Sequence, residues 1–136
     1  MDATPSGYGA STCWSTSPGD VWFAFRAFAS DVNITIIGAN VAGTPGGTLR
    51  TMQAALYSGV CGGTLQEINC GTDNRNAGIL SLYEGGLVVG RDYLLRIDGR
   101  SAATGTFQLC INNYFPPARA EQDCNRATII CNNAPF

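Results

Sequence analysis

Six cysteines, Cys13, Cys61, Cys70, Cys110, Cys124 and Cys131, are the residues of this 136-residue chain best suited to chemistry, and neither histidine nor lysine accompanies them. Without imidazole there is no Ser–His or Cys–His pair, and without lysine no Schiff-base nucleophile. A Cys/His zinc site is excluded, and the cysteines lack the paired C-x-x-C spacing of a four-cysteine site. What remains for the set is disulfide formation, which points to an oxidising compartment. The competing reading is free, buried thiols in a reducing cell. Six cysteines admit many pairings. Cys61–Cys70 is favoured because the two flank a short strand and its turn, and closing so small a loop stabilises by about 2–3 kcal/mol in the chain-entropy model. Cys124–Cys131 follows as a local clip. Cys13–Cys110, by elimination, would tie the start of the chain to its last strand.

Other candidate chemistry is thinner. Asp20, Glu67, Glu84, Asp92 and Asp98 are scattered over turns and strand ends rather than set as a glycosidase pair, so no catalytic residue is expected and the chain does not read as an enzyme. In the loop Gly71–Gly78, Asp73, Asn74 and Asn76 offer oxygen ligands for calcium. A single carboxylate with Arg75 beside it favours a plain Asx-rich turn instead. Trp14, next to Cys13, is the candidate exposed aromatic platform for a sugar, whereas Trp22 and Tyr93 read as strand packing. Asn33-Ile-Thr35 matches a glycosylation sequon but lies within a strand. Eight arginines against ten acidic residues give a net charge of −2. With no basic run, nucleic acid and membrane surfaces are not expected partners. No apolar stretch approaches the ~20 residues of a membrane span.

The elements that must position these residues are strands. Seventeen glycines and six prolines punctuate β-branched and aromatic runs, the pattern of an all-β domain with many turns. Asp20–Phe28 is the clearest run, with Val21, Phe23, Phe25 and Ala27 on one face and Trp22, Ala24, Arg26 and Phe28 on the other. Val32–Ile37, Leu49–Tyr57, Leu65–Cys70, Ile79–Tyr83, Tyr93–Ile97 and Gly105–Ile111 follow. About seven or eight short strands predict a two-sheet antiparallel β-sandwich, jelly-roll-like and disulfide-stabilised. Residues 1–19 read as an irregular lead-in, 20–112 as the sandwich body, 113–120 as a proline-rich linker, and 121–136 as a further strand segment.

Three stretches carry a resemblance: Asp20-Val-Trp-Phe-Ala-Phe, Ala55-Leu-Tyr-Ser-Gly-Val-Cys-Gly-Gly-Thr-Leu-Gln-Glu-Ile-Asn-Cys70, and Arg91-Asp-Tyr-Leu-Leu-Arg-Ile-Asp-Gly99 followed by Gly105-Thr-Phe-Gln-Leu-Cys110. In this order they resemble the jelly-roll-like β-sandwich repeats of large secreted bacterial surface proteins associated with gliding motility and type IX secretion. They are also similar to bacterial pre-peptidase C-terminal domains. The resemblance implies a non-catalytic module on the bacterial cell surface, often in tandem arrays, whose partners are copies of itself or adjacent repeats. Asp123-Cys-Asn-Arg-Ala-Thr-Ile-Ile-Cys131 resembles the opening of the next module. In such modules this segment precedes the strand corresponding to Val21–Phe25, whereas here it comes last. The body is thus expected to lack one strand, and Ala127, Thr128, Ile129, Ile130 and Cys131 to supply a strand without a body. An incomplete sandwich invites strand addition, which between copies would build a head-to-tail fibre. The alternatives are a tail folded back into its own body, and a carbohydrate- or substrate-binding accessory domain of a secreted bacterial hydrolase with surface glycans as partners.

Overall fold

Residues 6–39 and 46–116 are described by the computed structural model. They form seven strands: β1 (Asp20–Arg26), β2 (Asp31–Ile37), β3 (Met52–Gly59), β4 (Leu65–Thr72), β5 (Ile79–Glu84), β6 (Asp92–Gly99) and β7 (Gln108–Tyr114). All pairings are antiparallel, giving a four-stranded sheet in the order β1-β6-β3-β4 and a three-stranded sheet in the order β5-β2-β7. The expected two-sheet sandwich is the fold of the chain. Among the described residues, no helix is long and apolar enough to cross a membrane.

The period-2 pattern of β2 maps directly onto the two faces of its sheet. Val32, Ile34 and Ile36 are buried while Asn33 is exposed. They share one core with Met52, Ala54 and Leu56 of β3 and with Tyr93, Leu95 and Ile97 of β6. Each such large side chain contributes roughly 1.5–3 kcal/mol on burial, so this layer is the main source of cohesion. Asn113 fastens one end of it. Its Oδ1 accepts from the Phe28 and Ala29 N–H groups (2.7 and 3.2 Å), and its Nδ2 donates to the Ala29 and Asp31 carbonyls (2.9 and 2.7 Å).

β3 departs from simple alternation, because every residue from Met52 to Tyr57 is buried. A strand in an antiparallel sandwich commonly leaves one face to water. Here residues 6–19, which contain no strand, lie as a strap across the outside of the four-stranded sheet. Trp14 of the strap and Ala55, Tyr57 and Leu94 beneath it form a second, smaller core, flanked by Trp22, Leu65 and Cys70. Gln53 Nε2 donates to the Thr16 carbonyl (2.7 Å), and the Ser11 and Tyr57 hydroxyls hydrogen-bond to each other.

Cys13–Cys70 ties the strap to β4, with Cα atoms 6.0 Å apart. This pair replaces the expected Cys61–Cys70 and Cys13–Cys110. Cys70 stands opposite Ala55 in the middle of the β3–β4 ladder, whereas Cys61 lies in the turn beyond it. The extended run from Leu65 to Cys70 spans roughly 16 Å, more than twice the ~7 Å that limits a disulfide. Cys110 stands opposite Thr35 on the outer face of the three-stranded sheet, so the thickness of the sandwich separates it from Cys13. Among the described residues Cys61 and Cys110 are exposed and unpaired; the expected Cys124–Cys131 pair lies outside them. The Cys13–Cys70 bond closes a separation of 57 residues, for which the chain-entropy model gives about 4 kcal/mol. Cys13→Ser/Cys70→Ser is therefore expected to lose about that much in a denaturant titration. An unchanged midpoint would show that the strap adds nothing to stability.

Candidate functional site

The outer face of the four-stranded sheet holds an unusual concentration of charge. On β6 the residues facing the strap are Leu94, Arg96 and Asp98. The register sets Arg96 beside Trp22 and Ala55, and Asp98 beside Asp20 and Gln53. Arg96 is 1% exposed, yet each of its nitrogens is met. Nε donates to Asp20 Oδ2 at 2.5 Å, Nη1 to the Gly9 carbonyl at 2.6 Å, and Nη2 to the Tyr8 carbonyl at 3.0 Å and Ser17 Oγ at 2.6 Å. The guanidinium carbon lies 4.8 Å from the Trp14 ring centre and 5.4 Å from that of Trp22, a cation between two π faces. All three nitrogens are engaged by the strap or by Asp20, so the centre clamps the strap and presents no free guanidinium to solvent.

The two carboxylates opposite each other titrate in opposite directions. Burial alone would push Asp20 up. Hydrogen bonds from the Ser6 hydroxyl and N–H and from Arg96, together with the Arg96 charge, outweigh it and hold the carboxyl below its ordinary 3.8. Asp98 is pushed above 3.8 chiefly by burial, which bonds from Ser17, Gly99 N–H and Gly19 N–H only partly offset, and the Asp20 charge adds to the rise. Asp98 Oδ2 and Trp14 Nε1 are buried with no hydrogen-bond partner among the described residues. This network was not foreseen from the sequence. Its signal was the run Tyr93-Leu-Leu-Arg-Ile97, where apolar residues occupy both faces of a strand.

The expected site residues fall elsewhere. Trp14 is 6% exposed and packs from the strap onto the sheet; it is not the exposed platform anticipated, because its ring caps Arg96 and the β3 face. Asp73 is likewise buried, and its carboxylate accepts from the N–H groups of Arg75 (3.2 Å), Ala77 (3.1 Å) and Gly78 (2.9 Å). Asn74 Oδ1 accepts from Thr72 Oγ1 at 2.9 Å, and Asn76 adopts a left-handed backbone with φ 53°. The loop is closed on its own amides, so the calcium expectation for Asp73, Asn74 and Asn76 gives way to the Asx turn. Among the described residues no group of three His, Cys, Asp or Glu side chains could hold a metal. Asn33 of the sequon is exposed within β2, opposite Tyr83 and Asn112. Ala127, Thr128, Ile129, Ile130 and Cys131 lie outside the described residues.

The second feature is an open side of the sandwich. On one side β4 closes onto β5, so tightly at Gly71 that a Cβ there would meet Leu82 Cδ2 at 2.5 Å. On the other, β1 and β7 are terminal strands of their sheets, each with one edge unpartnered among the described residues. Between them face Val21, Phe23 and Phe25 from β1 and Phe107, Leu109 and Ile111 from the β7 side. Phe23 is 37% exposed and the others are only partly buried, whereas Ile34 and Ile36 on central β2 are at most 1% exposed. Phe23 and Phe107 touch edge to face across the gap at 6.2 Å. β1 turns directly into β2, which runs antiparallel to β7, so β1 and β7 point toward the same end. One added strand could hydrogen-bond to either edge and lay its alternate side chains on this apolar floor.

No protein-family model, curated protein or solved structure matches the chain.

Two outcomes follow from the Arg96 centre. Arg96→Ala leaves Asp20 buried without its cation, and breaking a buried pair in this way costs about 3–5 kcal/mol; a loss under about 1 kcal/mol in chemical denaturation would contradict the clamp. Asp98→Asn tests the second carboxylate. A raised folded pKa means that the contribution of Asp98 is complete below 3.8 and is lost as pH rises through the raised value. The Asn variant should therefore melt higher than the parent at neutral pH and converge with it below 3.8. A difference that does not vary with pH would contradict this.

Proposed function

We propose that the protein is a non-catalytic, extracellular structural or adhesive module of a bacterial surface array or fibre, in which a neighbouring copy or module donates the strand that closes the β1–β7 side. The observation that carries the reading is the pair of edges unpartnered among the described residues, flanking a partly exposed apolar floor. Unprotected edges of this kind template strand addition. A donor contributes main-chain hydrogen bonds for affinity and alternate apolar side chains for fit. Ala127–Cys131 is the donor segment. Because successive side chains in a strand point to opposite faces, Ile129 and Ile130 cannot both enter the floor.

A disulfide in a small all-β domain fits an extracellular location. Secretion to the bacterial surface is the finer reading, supported by the motif resemblance. The alternative of a carbohydrate-binding accessory domain has lost its expected platform, since Trp14 is buried.

Electron microscopy of the full chain beside Ile129→Asp and Ile130→Asp tests the proposal. Long regular fibres are expected from the parent. One of the two variants should remain folded but unassembled, because a carboxylate cannot be buried unpaired on the apolar floor. Fibres from both variants at parental yield would rule out the tail as connector.

A further inference from the structure

We infer that the end of the sandwich at which β7 finishes is a seating face for a second copy of this chain. The inference rests on the head-to-tail reading above and names the contact that accompanies strand donation. Phe28 (67% exposed), Val60 (64%), Val88 (51%), Val89 (55%) and Phe115 (64%) are large apolar side chains left in water. They come from four separate connections, yet the topology gathers them at one end. Phe28 lies in the β1–β2 turn. Val88 and Val89 lie in the β5–β6 connection, which is stitched to that turn by Leu87 N–H to the Ser30 carbonyl (2.8 Å) and Gly90 N–H to the Ala27 carbonyl (2.7 Å). Val60 caps the β3–β4 hairpin, whose Ser58 stands opposite Tyr93 at the start of β6. Phe115 follows Tyr114, which stands opposite Asp31.

The face is held in shape rather than draped. Asn113 pins the β1–β2 turn to β7, and Tyr93 OH accepts from the Val88 N–H at 2.8 Å. Of the charges near it, Arg26 and Asp92 form a two-pronged pair at 2.8 and 3.0 Å and Asp31 accepts from Tyr83 OH and Ser30 Oγ, while Arg91, in the same connection as Val88 and Val89, is exposed at its rim. A gathered apolar end of this kind marks an interaction surface rather than ordinary surface scatter.

The occupant follows from where the chain leaves. Phe115 and Pro116 are the last described residues and stand on this face. Residues 117–126 can span at most about 35 Å before the donor segment begins, about half again the ~23 Å length of a seven-residue strand. A donated strand can therefore reach only an immediate neighbour, and that neighbour must lie against or close to this end. The opposite end of the molecule supplies its counterpart, a cavity beside the open side whose lining includes Val21, Leu49, Ala103 and Phe107 together with Asp20 and Asp98. One end meeting the opposite end of the next copy is a heterologous contact that propagates without closing.

Val88→Asp and Val89→Asp, made singly in the full chain, test the face by sedimentation velocity and electron microscopy across a concentration series. Both positions are exposed, so unchanged thermal melting is expected. The concentration needed for assembly should rise at least about tenfold. Assembly at the parental concentration, or a parent that is monomeric throughout the series, would overturn the inference. The full chain carrying Ile129→Asp and Ile130→Asp separates the two readings. A weak self-association that survives in that chain and disappears on adding Val88→Asp supports the face even where donation is blocked. If the doubly substituted chain still forms fibres, donation by the tail fails, and sensitivity to Val88→Asp alone decides the face.

Discussion

A guanidinium taken out of water must be met on every side, and much of the chain outside the main core is arranged around that requirement at Arg96. Its Coulombic partner is Asp20 on the neighbouring strand, but one carboxylate cannot satisfy a planar fork of donors in a dry site. The remaining acceptors come from the strap, through the carbonyls of Tyr8 and Gly9 and the hydroxyl of Ser17. Trp14 and Trp22 complete the enclosure. The strap therefore cannot leave without stranding a charge, and its departure would also uncover Ala55, Tyr57 and Leu94. The Cys13–Cys70 bond fastens an arrangement that packing and electrostatics already specify.

The two sheets end up with different finishes. At β3 and β6 the four-stranded sheet is covered on both faces, by the main core and by the strap. The three-stranded sheet has one face in the core and one toward solvent, and the side where it approaches β1 is left ajar. Natural edges are commonly blunted by charge, proline or a bulge. Along β1 the blunting is confined to Arg26, which is already paired with Asp92, and β7 has none before Pro116. A chain that invests so much in enclosing one cation, yet leaves Phe23, Leu109 and Ile111 partly wet, is organised as though another strand belongs there.

Sequence pattern alone located the strands because strand formation here is governed by local alternation. Val32, Ile34 and Ile36 read the same in sequence and in structure, and each expected run within the described residues overlaps an observed strand. The strap was not legible, because Gly7 to Ser17 has no period and is ordered only by what lies beneath it. That single omission accounts for two failed assignments. Cys13 could not be paired correctly without knowing that its segment crosses β4, and Trp14 looked exposed because nothing local buries it. Arg96 illustrates the same limit: on an alternating strand a charged residue reads as solvent-facing, and only the apolar residues on both faces of Tyr93–Ile97 hint at a covered second face. Asp73 was read correctly as a turn former, since an Asx side chain bonding the amides that follow it is a local event.

The central claim is that the open β1–β7 side is an acceptor for a strand, and amide hydrogen exchange addresses it most directly. Edge amides of β1 and β7 that are not bonded to β6 or β2 have no strand beside them among the described residues, and a donated strand would cover those of the edge it pairs with. Comparison of monomeric and assembled full-length chain should show new protection concentrated on one of these edges, with the already buried β3 and β6 ladders little changed. Exchange on β1 and β7 that is as fast in the assembly as in the monomer would contradict the claim, whatever the assembly looks like.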